Sequence, residues 1–450
     1  MAPVAGVCLA VAGAQAAAQP AVFIPLDSLT GPGDTLGIAT GVSDDGSTVS
    51  GYVAAGASVR SFVWRSGAGA SFVTLPGASG LSNLQLQAIS GDGATAVGRV
   101  STAAGDIRAA FVRSGQVTVL PELASASRFT EALGVNRDGS VIVGQGQNGS
   151  AIEAFSWRPA QGATGLGFLS ASALFGRQSA ARGVSASGAV ITGSSTASDG
   201  LLASRWVAGR SVTTEAPDPV LPGGTRVSEA NAISGDGAYT VGFSNSQNGT
   251  EAFMVGPSPT NPALRAIRSL GDLPGGATTS IAWDVSADGS VVVGSSVDAT
   301  NRLKAFIWTE AQGIRDLAEF LADSAGLDLA GWELTEARSI SADGRTIVGF
   351  GIPPSGGLDA FIVQLGPVAC NPADIADFLG LPGPDGVLDG NDFALFLNAL
   401  ALPDNDPVRL VADIANFLGD VAPPFGTGGP DGVVDGNDVA AFLLWLAIGC

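Results

Sequence analysis

A nine-residue pattern recurs seven times along this chain of 450 residues, and it limits the fold more than any other feature. It reads SDDGSTVSG (43–51), SGDGATAVG (90–98), NRDGSVIVG (136–144), SASGAVITG (185–193), SGDGAYTVG (234–242), SADGSVVVG (286–294) and SADGRTIVG (341–349). The turn glycines, Gly46, Gly93, Gly139, Gly188, Gly237, Gly289 and Gly344, are spaced by 47, 46, 49, 49, 52 and 55 residues. Five residues after each stands a second glycine: Gly51, Gly98, Gly144, Gly193, Gly242, Gly294 and Gly349. A second signature follows about a dozen residues on. It reads SFVW (61–64), AAFVR (109–113), AFSW (154–157), ASRW (203–206), AFMV (252–255), AFIW (305–308) and AFIV (360–363). Leu-Pro pairs close several units: Leu75-Pro76, Leu120-Pro121, Leu221-Pro222 and Leu273-Pro274. A fixed period of this kind marks one supersecondary unit stacked on copies of itself.

Each unit reads as four short strands. An apolar approach meets an Asp-Gly pair, the signal for a two-residue hairpin. A β-branched return strand, the Ala-Phe strand and the strand before Leu-Pro complete the sheet. Four-stranded units of this length, repeated radially, predict a mainly β fold, a seven-bladed β-propeller over residues 21–366. The seventh unit lacks a fourth strand, because Phe361-Ile362-Val363 runs straight into an acidic tail. The segment VFIPLDSLTGPG (22–33) resembles the strand ending LGDLPGG (270–276), so it is expected to complete the last blade and remove its open edge.

Over roughly residues 22 to 365 these units resemble the HAF family of extracellular bacterial repeats, named for a recurring His-Ala-Phe tripeptide. Ala-Phe stands in five of the seven units, Ser204 replaces Phe in the fourth, and the chain has no histidine. The resemblance implies export and a propeller-like fold, and it implies no activity.

Within the repeats, the Asp of each Asp-Gly is expected to cap its own turn rather than bind a ligand. Trp64, Trp157, Trp206 and Trp308 share one repeat position, which points to packing between blades; a sugar-binding face is the alternative. Trp283 and Trp332 fall outside that register and hint at an exposed site. Glu153, Glu251 and Glu310 lie near strand ends, where solvated surface is the default.

The absence of histidine excludes Ser-His-Asp and Cys-His mechanisms and HExxH zinc sites, while carboxylate-pair glycoside hydrolysis stays open. No catalytic residue is assigned, and the chain is expected not to be an enzyme. A net charge of −20, with Lys304 the only lysine, makes a nucleic-acid partner unfavourable. Residues 1–20, MAPVAGVCLAVAGAQAAAQP, carry an apolar stretch and small residues suited to a signal peptide cleaved near Ala16 to Ala18. No Lys or Arg precedes that stretch, and a disordered Ala-rich tail is the alternative reading. No later segment reaches the length of a membrane span.

From Cys370 to Cys450 the repeat gives way to a duplication rich in Asp, with twelve Asp, no Glu and one Arg. DGVLDGND (385–392) precedes the apolar run 393–402, and DGVVDGND (431–438) precedes 439–448. Each octet follows a further match, ADIADFLG (373–380) and ADIANFLG (412–419). Clustered carboxylates feeding a helix suggest two Ca2+ loops, with Asp374, Asp385, Asp389 and Asp392 in the first and Asp413, Asp431, Asp435 and Asp438 in the second. Asp-rich turns that cap two helices without metal are the alternative. Cys370 and Cys450 bracket the segment, and a lone pair in an exported protein points to one disulfide. Residues 370–450 resemble a dockerin, closest to the GC-type named for a terminal Gly-Cys, here Gly449-Cys450. In both copies the interval from the first Asp to the Asp-Gly pair exceeds that of an unbroken loop.

Together these features predict a secreted, cell-surface-associated repeat protein. Its propeller would present a binding surface to a glycan or protein ligand, and its dockerin-like tail would attach it to a cohesin-like or cell-envelope protein. A dockerin-bearing glycoside hydrolase or a carbohydrate-binding protein is the competing expectation.

Overall fold

The computed structural model describes residues 21–365, apart from 27–28, 30–33, 35, 77–78, 124–126, 171–175, 209 and 259–260. The segment 1–20 expected to be a signal peptide, the eight Asp expected to hold Ca2+ and the expected pairing of Cys370 with Cys450 lie outside the described residues.

Alternating apolar and small residues with a turn every dozen positions give twenty-eight strands and one helix among the described residues. The strands form seven four-stranded antiparallel sheets, one per repeat, so Ala21–Leu365 is a seven-bladed propeller. In the first blade the order from the centre outwards is Leu36–Val42, Thr48–Ala55, Ser58–Arg65 and Gly69–Phe72. The next five blades follow the same meander.

The seventh blade closes as the sequence predicts. The strand Val22–Pro25 pairs antiparallel with Asp359–Gln364, placing Phe23 opposite Val363 and Ile24 opposite Ile362. Being outermost, it tolerates Pro25, which could not donate inside a sheet. Phe23 packs edge-on to Trp332, 5.4 Å between ring centres, and lies 6.1 Å from Phe361. Trp332 is therefore a buried core residue, which corrects the expectation of an exposed site there. The helix α1 (Leu317–Ala325) is inserted before the last blade, and its Leu317 and Leu321 join the same cluster.

The Asp-Gly turns form differently from the two-residue hairpin expected. In the first blade Gly46 N–H donates to Ser43 O and Ser43 N–H to Thr48 O, and only Gly46 has positive φ, 69°. The turn is thus a four-residue connection with glycine in the left-handed position, a geometry that Asp-Gly also suits. As expected, Asp45 serves the turn: its Oδ1 accepts from Ser43 Oγ (2.7 Å) and Ser47 N–H (2.9 Å). Asp92, Asp138, Asp236, Asp288 and Asp343 do the equivalent in their blades.

The second glycine has a separate cause. A Cβ on Gly51 would lie 2.2 Å from Ile38 O and 2.5 Å from the Phe62 ring, and Gly193, Gly242 and Gly349 would each meet a carbonyl at 1.9 Å. A register shift in every innermost strand pushes that carbonyl forward, between Ala39/Gly41, Leu86/Ala88, Ala132/Gly134, Ala181/Gly183, Ala230/Ala232, Ala282/Asp284 and Ala337/Ser339. Phe62, Phe155, Phe253, Phe306 and Phe361 pair with the second glycine and are almost completely buried. The second blade departs from this frame, because Ala110 faces Gly98 there. Phe111 points the other way and meets Trp157 at 5.5 Å. Trp64, Trp206 and Trp308 are buried, in keeping with the packing role expected of their column.

Candidate functional site

Bulges re-aim side chains, and seven of them at one level build the candidate site. The residue before each turn glycine by seven is buried and almost always alanine: Ala39, Ala132, Ala181, Ala230, Ala282 and Ala337, with Leu86 the exception. The next residue is the bulged one, and it is half-buried in all seven blades: Thr40, Gln87, Leu133, Arg182, Asn231, Trp283 and Arg338. These seven line a central channel of about 290 Å3 to which every blade contributes.

The repeat frame acts as an internal control. Positions that hold the blade are nearly invariant from unit to unit, whereas the bulged position differs in six ways over seven units. Packing alone would let the same small residue stand in every blade.

Three of the ring side chains also tie neighbouring blades together. Thr40 Oγ1 donates to Leu86 O (3.1 Å), Asn231 Nδ2 to Ala282 O (2.9 Å), and Arg182 Nη2 to Glu229 Oε2 (3.0 Å). The Arg182 Nε is enclosed without a hydrogen-bond partner among the described residues. Arg338 lies over the Trp283 ring at 4.3 Å and is 5.7 Å from the Phe350 ring. Its Nε stands 3.1 Å from Glu336 Oε2, an ion pair too poorly aligned to be a hydrogen bond. Burial pushes the Glu336 carboxyl above its ordinary pKa, against the pull of Arg338.

One level below the ring, six blades carry Gly, Ala or Ser, because adjacent innermost strands approach closely there; a Cβ on Gly41 would lie 3.0 Å from Ile89 N. The sixth blade instead carries Asp284, whose Oδ2 accepts from Ser339 Oγ (2.7 Å) and Ile340 N–H (3.0 Å) of the seventh. Burial dominates and raises its pKa to about 6, although these hydrogen bonds and that from Val285 N–H favour the anion.

The channel lining continues to the Asp-Gly turns, where each blade contributes one residue. Neighbouring turns are stitched by backbone bonds such as Asp44 N–H to Gly91 O (2.9 Å) and Ala287 N–H to Ala342 O (3.0 Å). The Asp44–Arg137 ion pair, 2.9 Å, bridges the first and third blades beside Gly91, where a Cβ would collide with Asp44.

At the opposite end of the blades the structure corrects the reading of Glu153 and Glu251. Both are buried. Glu153 accepts from Gly167 N–H (2.9 Å) and Asn148 Nδ2 (2.5 Å), and Glu251 accepts from Ser246 and Ser269 hydroxyls. They stand two residues before the paired Phe, the place of histidine in the HAF tripeptide. Arg108, at the same position, bonds Glu122 (2.8 Å), and Arg60 bonds Asp34 (2.7 Å). These residues latch the loops to the blade; Glu251 also lies near Asp272, whose carboxyl is raised above its ordinary pKa by burial and by the Glu251 charge. Glu310 is exposed as expected and bonds Arg268.

Among the described residues no group of three or more His, Cys, Asp or Glu could hold a metal ion. No helix of the described residues is long and apolar enough to cross a membrane. Sequence reasoning singled out Trp283 but missed the rest of the ring, because the bulged position has no repeating residue to draw the eye.

No protein-family model matches the chain, and no curated protein matches it. Solved structures similar to it include TolB from Acinetobacter baumannii, 14% identical with a TM-score of 0.40 over 59% of this chain and 62% of that one. An oligogalacturonate lyase from Vibrio parahaemolyticus is 11% identical with a TM-score of 0.48 over 77% and 97%. A prolyl endopeptidase is 11% identical with a TM-score of 0.47 over 73% and 48%. The chain thus spans less than two thirds of the first and third of these proteins.

Proposed function

We propose that this protein is an exported, non-catalytic display module. Its propeller binds a ligand in the central channel, and its dockerin-like tail, loaded with Ca2+ at Asp374, Asp385, Asp389, Asp392, Asp413, Asp431, Asp435 and Asp438, anchors it to a cohesin-like or cell-envelope protein. The observation that carries the binding half is the unlike ring of Thr40, Gln87, Leu133, Arg182, Asn231, Trp283 and Arg338 on an otherwise repeated frame. The HAF and dockerin resemblances and the leader-like segment 1–20 support export and anchoring. A disulfide between Cys370 and Cys450 would clasp the tail.

The test uses the oxidised full chain as bait against the envelope and secreted proteins of its source, with Ca2+ or with chelator. An Asp392→Ala, Asp438→Ala double variant serves as control. Capture that needs Ca2+ and is lost in the variant supports anchoring; capture indifferent to both refutes it. Turnover of a glycan panel would refute the non-catalytic reading and favour the glycoside hydrolase.

A further inference from the structure

We propose that the central channel takes a small organic carboxylate, held by the guanidinium groups of Arg182 and Arg338 with Gln87 and Trp283 beside them. This rests on the channel being the binding site and names what it binds.

The ring itself is the first reason. Two of its seven side chains are cationic and none is acidic, in a protein whose net charge is −20. A guanidinium offers five N–H donors, and its flat fork matches a carboxylate. Glu229 takes one Nη of Arg182, which leaves the enclosed Nε without a partner. Glu336 stands 3.1 Å from the Nε of Arg338 without hydrogen-bond alignment, so that buried N–H has no partner among the described residues. The Gln87 side-chain amide has no partner among the described residues and joins the same ring.

The second reason is preorganisation. The Arg338 guanidinium lies 4.3 Å from the Trp283 ring centre and 5.7 Å from that of Phe350. A guanidinium stacked in this way loses little freedom when it accepts a ligand, so more of the interaction appears as affinity. The channel's volume of about 290 Å3 lies at the lower end of small-molecule pockets, which suits a compact acid better than a polymer segment. The lining runs from the ring to the Asp-Gly turns, where Asp44 and Arg137 pair at 2.9 Å.

The acids nearest the ring decide between an anion and a cation as guest. Asp284 is already supplied with three donors, and Glu229 is bonded to Arg182. Neither offers a free carboxylate to a cation. Glu336 has an Oε2 without an aligned donor, and an incoming carboxylate would compete with it for Arg338.

The full chain is titrated by calorimetry with lactate, malonate and glucuronate, and with lactamide, malonamide and glucuronamide as uncharged counterparts. At least one acid is expected to bind while its amide does not. Arg338→Gln and Arg182→Gln should each weaken binding by about tenfold or more, the usual loss with a charge-assisted hydrogen bond. Glu336→Gln should tighten it severalfold by removing the competitor, an effect that loss of folding cannot imitate. Binding of amides and acids alike would overturn the anion inference while leaving the channel as a binding site. Binding of no compound, or binding insensitive to all three substitutions, would overturn it too, and the tail-capture result stands apart from either outcome.

Discussion

Replacing Phe23 by alanine tests whether the ring is held shut by its first strand. A fully buried Phe→Ala change costs about 3–5 kcal/mol, and the half-buried Phe23 should cost about half of that. Its edge-on contact with Trp332 at 5.4 Å adds about 0.5–1.5 kcal/mol. The total is about 2–4 kcal/mol, and the thermal midpoint of a domain this large should fall by about 3–6 °C. Val22→Ala, on the exposed side of the same strand, should stay within about 0.5 kcal/mol of the parent. Deleting Val22–Pro25 removes all four register pairs with the last blade and leaves Asp359–Gln364 as an open edge. That variant should melt far lower and aggregate. The assay is urea and thermal unfolding by circular dichroism, with light scattering for aggregation. A parent-like midpoint for Phe23→Ala, or a deletion variant that stays soluble and melts with the parent, would refute closure as the source of stability.

Three further predictions rest on single residues. Glu215 is fully enclosed beside Arg265 (3.1 Å), Arg205 (3.6 Å) and Thr192 (2.5 Å) between the fourth and fifth blades, so Glu215→Gln should cost about 3–5 kcal/mol in urea unfolding by taking the anion from two guanidiniums that keep only carbonyl and hydroxyl acceptors. Asp284 has a folded pKa of about 6 against an ordinary 3.8, so the protonated form suits the fold. Its contribution is full below about pH 4 and is lost as pH rises to about 6, up to about 3 kcal/mol. The stability difference between Asp284→Asn and the parent should therefore move in the variant's favour across that window, and a flat difference would refute the assignment. Gly349→Ala would set a Cβ 1.9 Å from Glu336 O, so the variant should fail to fold or melt far below the parent.

Much of the fold was legible because a propeller writes its frame seven times. Turn and bulge glycines, the paired phenylalanines and the closing strand are each forced by backbone geometry, and geometry that repeats leaves repeating letters. What the frame hides is whatever departs from it. Thr40, Gln87, Leu133, Arg182, Asn231 and Trp283 occupy one structural position with six different residue types, so periodicity cannot find them; aligning the units on the turn glycine and asking which column varies would have. Glu153 and Glu251 were misplaced because a charged residue near a strand end is solvated by default. Here the incoming loops fold over the strand and supply donors. Trp332 was misread for a related reason: it lies in the insertion before the last blade, where the repeat gives no neighbour to predict. Phe111 shows the limit of motif matching, since an Ala-Phe pair one residue out of register points to the opposite face of its sheet.

The pairing of Val22 with Gln364 has a consequence for how the molecule is made. The strand that completes the ring leaves the ribosome first and finds its partner only after the last blade has been synthesised. Until then six blades can form from neighbours in sequence, while the two end blades of the arc leave their apolar faces uncovered. A chain cut short anywhere before Asp359 can never hide them. The last blade thereby depends on both ends of Ala21–Leu365: until Val22–Pro25 docks, Asp359–Gln364 keeps an unpaired edge.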